Sequence, residues 1–141
     1  MASFTFSDAQ ELFRREVRNF AERELLPEAK TRAKQSSVSM EVLKKMAHMG
    51  LLGINIPEEY GGQLIDWISV GIAVEEIGRI NPIEGLLPTL AHESFGAISQ
   101  NKKLCLEWVP QLIKGEILIA FAMTEPGAGA DAAAITTSAI K

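Results

Sequence analysis

The stretch Phe121-Ala122-Met123-Thr124-Glu125-Pro126-Gly127-Ala128-Gly129-Ala130-Asp131 marks where this chain changes character. It begins inside Ile117-Leu118-Ile119-Ala120-Phe121-Ala122-Met123, a short apolar run without helix caps that reads as a buried strand. Glu125-Pro126-Gly127 then supplies a type II turn sequence. Two glycines and two alanines remove side-chain bulk, so main-chain N–H groups can reach a phosphate or a ring edge, and Thr124 adds a hydroxyl. Turn chemistry by itself leaves two readings open, a plain strand exit and a ligand cradle.

Downstream, Ile135-Thr136-Thr137-Ser138-Ala139-Ile140 is again strand-like, and the sequence stops at Lys141. One or two strands do not make a stable sheet. The expectation is therefore a β domain that begins at Glu116 and is cut short, covering residues 116–141, behind a helical domain of residues 1–115.

Upstream the periodicity is helical. Ser7-Asp8-Ala9-Gln10 is a capping box, and Phe13, Val17, Phe20 and Ala21 predict a helix from Asp8 to Leu25 that Pro27 ends or kinks. A second helix starts near Ser39, turns Val42, Leu43, Met46 and Met49 inward, and meets Gly50 as a left-handed cap. The segment from Leu51 to Gly62 is too interrupted by Gly and Pro for regular structure. Val70, Ala73, Val74 and Ile77 mark a third helix over Asp66–Arg79, stopped by Asn81-Pro82. Leu86, Leu87, Leu90, Phe95 and Ile98 carry a fourth. Leu104, Trp108, Leu112 and Ile113 carry a fifth, ending at Gly115 and open to a break at Pro110.

Composition narrows the function. The 141 residues are 47% hydrophobic with a net charge of −4, which suits an ordinary domain with a sizeable core. With 14 Lys and Arg against 18 Asp and Glu and no basic stripe, the electrostatic footprint of a nucleic-acid binder is missing. The N-terminus lacks signal and transit patterns, and no run approaches a membrane span, which predicts a cytoplasmic protein, or a mitochondrial matrix one after processing. Cys105, between Leu104 and Leu106, reads as a part-buried thiol, His48 and His92 as surface or capped histidines, and Glu75-Glu76 as a solvated helix edge. No metal site is predicted.

The order Phe-x-Met-Thr-Glu-Pro-Gly-Ala-Gly-x-Asp resembles the flavin-binding signature of the acyl-CoA dehydrogenase family. Four further segments and the N-terminal start are similar to the family pattern in the expected order. They are Asp8–Arg14, Gly50-Leu51-Leu52-Gly53, Ile56-Pro57-Glu58-Glu59-Tyr60-Gly61-Gly62, Glu75-Glu76-Ile77-Gly78-Arg79 and Trp108–Glu116, and together they span nearly the whole chain.

The resemblance implies a mainly α fold: an up-and-down helical N-terminal domain followed by the first one or two strands of a truncated middle β domain. It implies α,β-dehydrogenation of an acyl-CoA with FAD as cofactor, an electron-transfer flavoprotein as acceptor and a homo-oligomeric full-length protein. The catalytic base comes from the family's C-terminal domain, so no catalytic residue is assigned here and the 141 residues alone are expected to be inactive. Flavin contacts map onto Phe121, Ala122, Met123 and Thr124 at the ring edge and onto Gly129 and Ala130 near the pyrophosphate, with Asp131 fixing the turn. Ala130 stands where the family usually has serine, a loss of about 0.5–1.5 kcal/mol of hydrogen bonding. Gln63-Leu64-Ile65-Asp66 replaces a commoner glycine-containing stretch. Leu86, Leu87, Leu90 and Ala91 are candidates for an acyl-pocket wall or for core. The alternatives are a related flavin acyl-CoA oxidase or monooxygenase, and a non-catalytic helical interaction module in which the signature is vestigial.

Overall fold

Ser7 opens the first helix as the sequence predicts: its hydroxyl accepts the Gln10 N–H at 3.2 Å, and the Gln10 side chain accepts the Ser7 N–H at 3.0 Å. The computed structural model describes residues 5–120 and 122–140. Seven α-helices lie among them: α1 Asp8–Phe20, α2 Ala29–Arg32, α3 Met40–His48, α4 Trp67–Gly78, α5 Pro82–Gly85, α6 Leu87–Ile98 and α7 Lys102–Ile113.

The first helical path holds to Leu25, as expected, and changes form at Pro27. The turn Ala21–Leu25 widens to π spacing, the Leu26 N–H reaches back to the Ala21 carbonyl, and a 3₁₀ turn at Leu26–Glu28 leads into α2. The Leu25 carbonyl at this junction is taken up by Arg32 Nη2. Arg32 also clasps Glu84 of α5, a pair whose side chains are 10% and 6% exposed.

α1 packs on α4, α4 on α5 and α6, and α6 on α7. The main core joins Val17, Phe20 and Leu25 to Val42, Leu43 and Met46, the loop residues Leu51, Leu52 and Ile54, and Val70, Ala73, Ile77, Leu87 and Leu112. A second cluster holds Ile56, Tyr60, Cys105 and Val109. Gly50 does cap α3 in the left-handed conformation at φ 73°. Leu64 is left-handed as well, at φ 46°, in the stretch where the sequence departs from a glycine-containing pattern.

Several side-chain expectations are corrected. Glu76 is buried, because three arginines surround it, and only Glu75 lies on a solvated edge. Met49 is 36% exposed at the rim of a surface cleft. α7 runs unbroken through Pro110 and buries Cys105, Val109 and Leu112, a register one residue beyond Leu104 and Trp108, since Tyr60 and the α6 residue Phe95 meet that face. Cys105 is accordingly fully buried, its Sγ 3.2 Å from the Ile98 carbonyl.

The 117–123 strand does not form a ladder among the described residues. Residues 117–119 keep strand alternation, with Ile117 and Ile119 packed on the core and Leu118 turned out, but no strand among the described residues pairs with them. The Ile119 carbonyl is instead 3.4 Å from the Ser94 hydroxyl of α6. Residues 135–140 likewise carry no ladder.

Candidate functional site

The signature folds into a tight turn. The Glu125 N–H donates to the Ala128 carbonyl at 2.9 Å and the Ala128 N–H to the Glu125 carbonyl at 3.1 Å, enclosing Pro126 and Gly127. The type II assignment is corrected: Gly127 is not among the positive-φ glycines, so the conformation that turn requires at its third residue is not adopted. Asp131 does fix the next turn, its carboxylate accepting the Ala133 N–H at 3.1 Å.

The turn brings Thr124 and Gly129 side by side. Of the ring-edge and phosphate candidates, Ala122, Met123, Thr124, Gly129 and Ala130 are all exposed, while Phe121 lies outside the described residues. Among the described residues nothing requires positions 127 and 129 to be glycine. Neither has positive φ; a Cβ on Gly127 would meet nothing within 4 Å, and one on Gly129 only Thr124 Cγ2 at 4.0 Å. Bare backbone that nothing inside requires fits a ligand approaching from outside. The N–H groups of Gly129 and Ala130 take no hydrogen bond among the described residues, so they are free to face an anion.

Two strongly paired carboxylates, Glu125 in the signature and Glu76 in the α1–α4 interface, suit structure better than proton abstraction. Glu125 accepts bonds from Thr137 and Thr136, which hold its carboxyl at about 2. Glu76, ringed by arginines with Arg18 foremost, is likewise held at about 2. Ionised and saturated with donors, neither is poised near neutrality as a general base.

His92 is a buried residue whose partners sequence reasoning missed. Its Nδ1 lies 2.6 Å from the Pro88 carbonyl, so Nδ1 carries the proton, and Nε2 accepts the Asn55 N–H at 2.9 Å. The ring thereby ties the 51–62 loop to α6, with Trp67 tilted against it at 5.5 Å between centroids. No signal in the sequence places Asn55 against residue 92.

The candidate pocket wall divides: Leu87 and Ala91 are core, Leu90 is half-buried and Leu86 is 53% exposed. A separate open cleft of about 680 Å³ lies among α3, the 51–63 loop and α7, and none of the described signature residues lines it. Among the described residues no three His, Cys, Asp or Glu side chains could hold a metal ion, and no helix is long and apolar enough to cross a membrane.

Comparison with known proteins gives a consistent result. Residues 7–116 match the family described as acyl-CoA dehydrogenase, N-terminal domain. The chain is 38% identical over 136 residues to an acyl-CoA dehydrogenase of Bacillus subtilis, covering 94% of this chain and 36% of that one. It is 33% identical over 139 residues to the caffeyl-CoA reductase-Etf complex subunit CarC of Acetobacterium woodii, covering 96% and 37%. The fold is similar to that of butyryl-CoA dehydrogenase from Megasphaera elsdenii, with a TM-score of 0.77 at 26% identity over 94% of this chain and 36% of that one. The chain thus spans about a third of the length of the curated relatives it matches.

Proposed function

The chain belongs to the acyl-CoA dehydrogenase family through that family's helical N-terminal domain, and from this premise we propose that it forms the N-terminal part of a flavin-dependent acyl-CoA dehydrogenase. The reaction is α,β-dehydrogenation of an acyl-CoA thioester. FAD, when bound, supplies the acceptor for the two electrons released as the bond becomes unsaturated.

One observation carries the reading: Gly127 and Gly129 are bare where neither backbone conformation nor packing among the described residues asks for glycine. In this assignment Phe121, Ala122, Met123 and Thr124 meet the ring edge through backbone and hydroxyl. Gly129 and Ala130 offer N–H groups to the pyrophosphate. Ala130 has no hydroxyl, so its contribution is confined to the backbone. These residues hold and orient the cofactor; removal of the α proton falls to a base outside the 141 residues, which alone are then inactive and retain flavin poorly. The helical domain occupies residues 1–115, and residues 116–141 begin a β domain.

The partners follow from the same reading: an acyl-CoA substrate, further copies of the chain, and an electron-transfer flavoprotein, the last supported by the relative named as an Etf-complex subunit. Cytoplasm or mitochondrial matrix is the compartment, the latter supported by relatives named as mitochondrial. A second reading, physiological flow in the opposite direction as an enoyl-CoA reductase, is favoured by that same relative being named a reductase.

The test is anaerobic titration with acyl-CoAs of the protein expressed from its complete reading frame, followed by visible absorbance. Bleaching of bound flavin supports dehydrogenation. Flavin that stays oxidised with acyl-CoAs, yet is reoxidised from its reduced form by enoyl-CoAs, selects the reductase.

A further inference from the structure

The Glu125 carboxylate reaches well beyond its own turn. Oε2 accepts the Thr136 N–H at 2.9 Å and the Thr136 hydroxyl at 2.8 Å. Oε1 accepts the Thr137 N–H at 2.8 Å and the Thr137 hydroxyl as well. Two consecutive residues thus turn all four of their donors onto one carboxylate, each oxygen taking the pair from one residue. The backbone of Glu125 meanwhile closes the Pro126-Gly127 turn with Ala128. One residue therefore fixes both ends of the segment from 125 to 137, and Asp131 braces its middle through Ala133.

All of these groups stand near solvent, so the clamp adds little to global stability. Its effect is local. A loop of this length that buries only Ala128 among residues 126–134 samples many conformations, and two fixed ends with a braced centre remove most of them before any ligand arrives. The loop held in this way carries the Gly129 and Ala130 N–H groups.

We propose that Glu125 is a positioning residue, a clamp that preorganises the 125–137 loop so that Gly129 and Ala130 present their N–H groups to the cofactor's phosphates. The proposal rests on the flavin reading above. The carboxylate is charged across the physiological range, its carboxyl held at about 2 by the threonine donors. Glu125 touches neither substrate nor reacting atoms and acts through the loop.

The test is FAD affinity of the apoprotein from the complete reading frame, measured for wild type, Glu125→Ala, Glu125→Gln, Thr137→Val and the Glu125→Ala/Thr137→Val double variant. Glu125→Ala is expected to weaken FAD binding about 10–100-fold with the thermal unfolding of the helical domain unchanged. Glu125→Gln, which keeps one acceptor oxygen, falls between. The double variant loses no more than Glu125→Ala alone, since the hydroxyl of Thr137 has nothing left to bond. Wild-type affinity in Glu125→Ala, or additive losses in the double variant, overturns the clamp. A wild-type protein that takes up no FAD overturns the flavin reading itself, which separates the two failures.

Discussion

Arg18 and Glu76, 58 residues apart in sequence, join α1 to α4 through two hydrogen bonds, Nη2 to Oε1 at 2.7 Å and Nε to Oε2 at 2.9 Å. Arg14 and Arg79 complete the ring around a Glu76 side chain with no exposed surface. The three guanidinium groups can turn to water when the carboxylate is lost, so Glu76→Ala forfeits charged hydrogen bonds without stranding a buried cation. The expected destabilisation is about 1.5–3 kcal/mol, read from urea unfolding. The carboxyl is held at about 2 against an ordinary 4.5. Its folded value is depressed, so its contribution is complete above pH 4.5 and is lost as the pH falls toward 2. The wild-type urea midpoint should fall over this range more steeply than that of Glu76→Gln.

His92 has the opposite acid–base character and a separate window. Burial pushes the imidazole below its ordinary value of 6.5, with the Pro88 carbonyl opposing. No charged side chain is among the causes; the faces around the ring are Pro88, Asn55 and Trp67. The unfolded chain takes up a proton below 6.5 while the folded chain resists it, so stability is complete above 6.5 and declines as the pH falls. His92→Gln should flatten the decline that sets in as the pH falls below 6.5, read from denaturant titrations.

Gly62 closes the 51–62 loop against its own start. A Cβ there would lie 2.0 Å from the Ile56 carbonyl oxygen and 2.5 Å from its carbon, backbone atoms that cannot step aside. Gly62→Ala should cost about 1–3 kcal/mol in a chemical unfolding measurement. Gly71→Ala, on an open face of α4 with nothing within 4 Å, should stabilise slightly and serves as the control.

Much of this architecture is legible in the sequence because it is local. Ser7 and Ser39 each cap the helix that follows with a side-chain oxygen, as short polar residues before apolar periodicity predict, and the structure adds Asp66 and Asn101 in the same role. The face of α7 is not legible in the same way, since Leu104, Trp108 and Leu112 make as good a stripe as Cys105, Val109 and Leu112. Only the neighbours Tyr60 and Phe95 choose between them. Glu76 reads as solvated because its cations on α1 are distant in sequence, and the Glu125 clamp is hidden because Thr136 and Thr137 carry an ordinary strand pattern. The motif order locates the candidate site; the exposed glycines and the free N–H groups beside them come from the fold.

Gly129→Val tests most directly the proposal that Gly129 is bare because FAD lies against it. The added Cβ starts at ordinary contact distance, 4.0 Å from Thr124 Cγ2, at an exposed position without positive φ. FAD titration of the apoprotein from the complete reading frame should show affinity falling by about tenfold or more, with thermal unfolding of the apoprotein unchanged. A Gly129→Val protein that binds FAD as tightly as wild type would contradict the account.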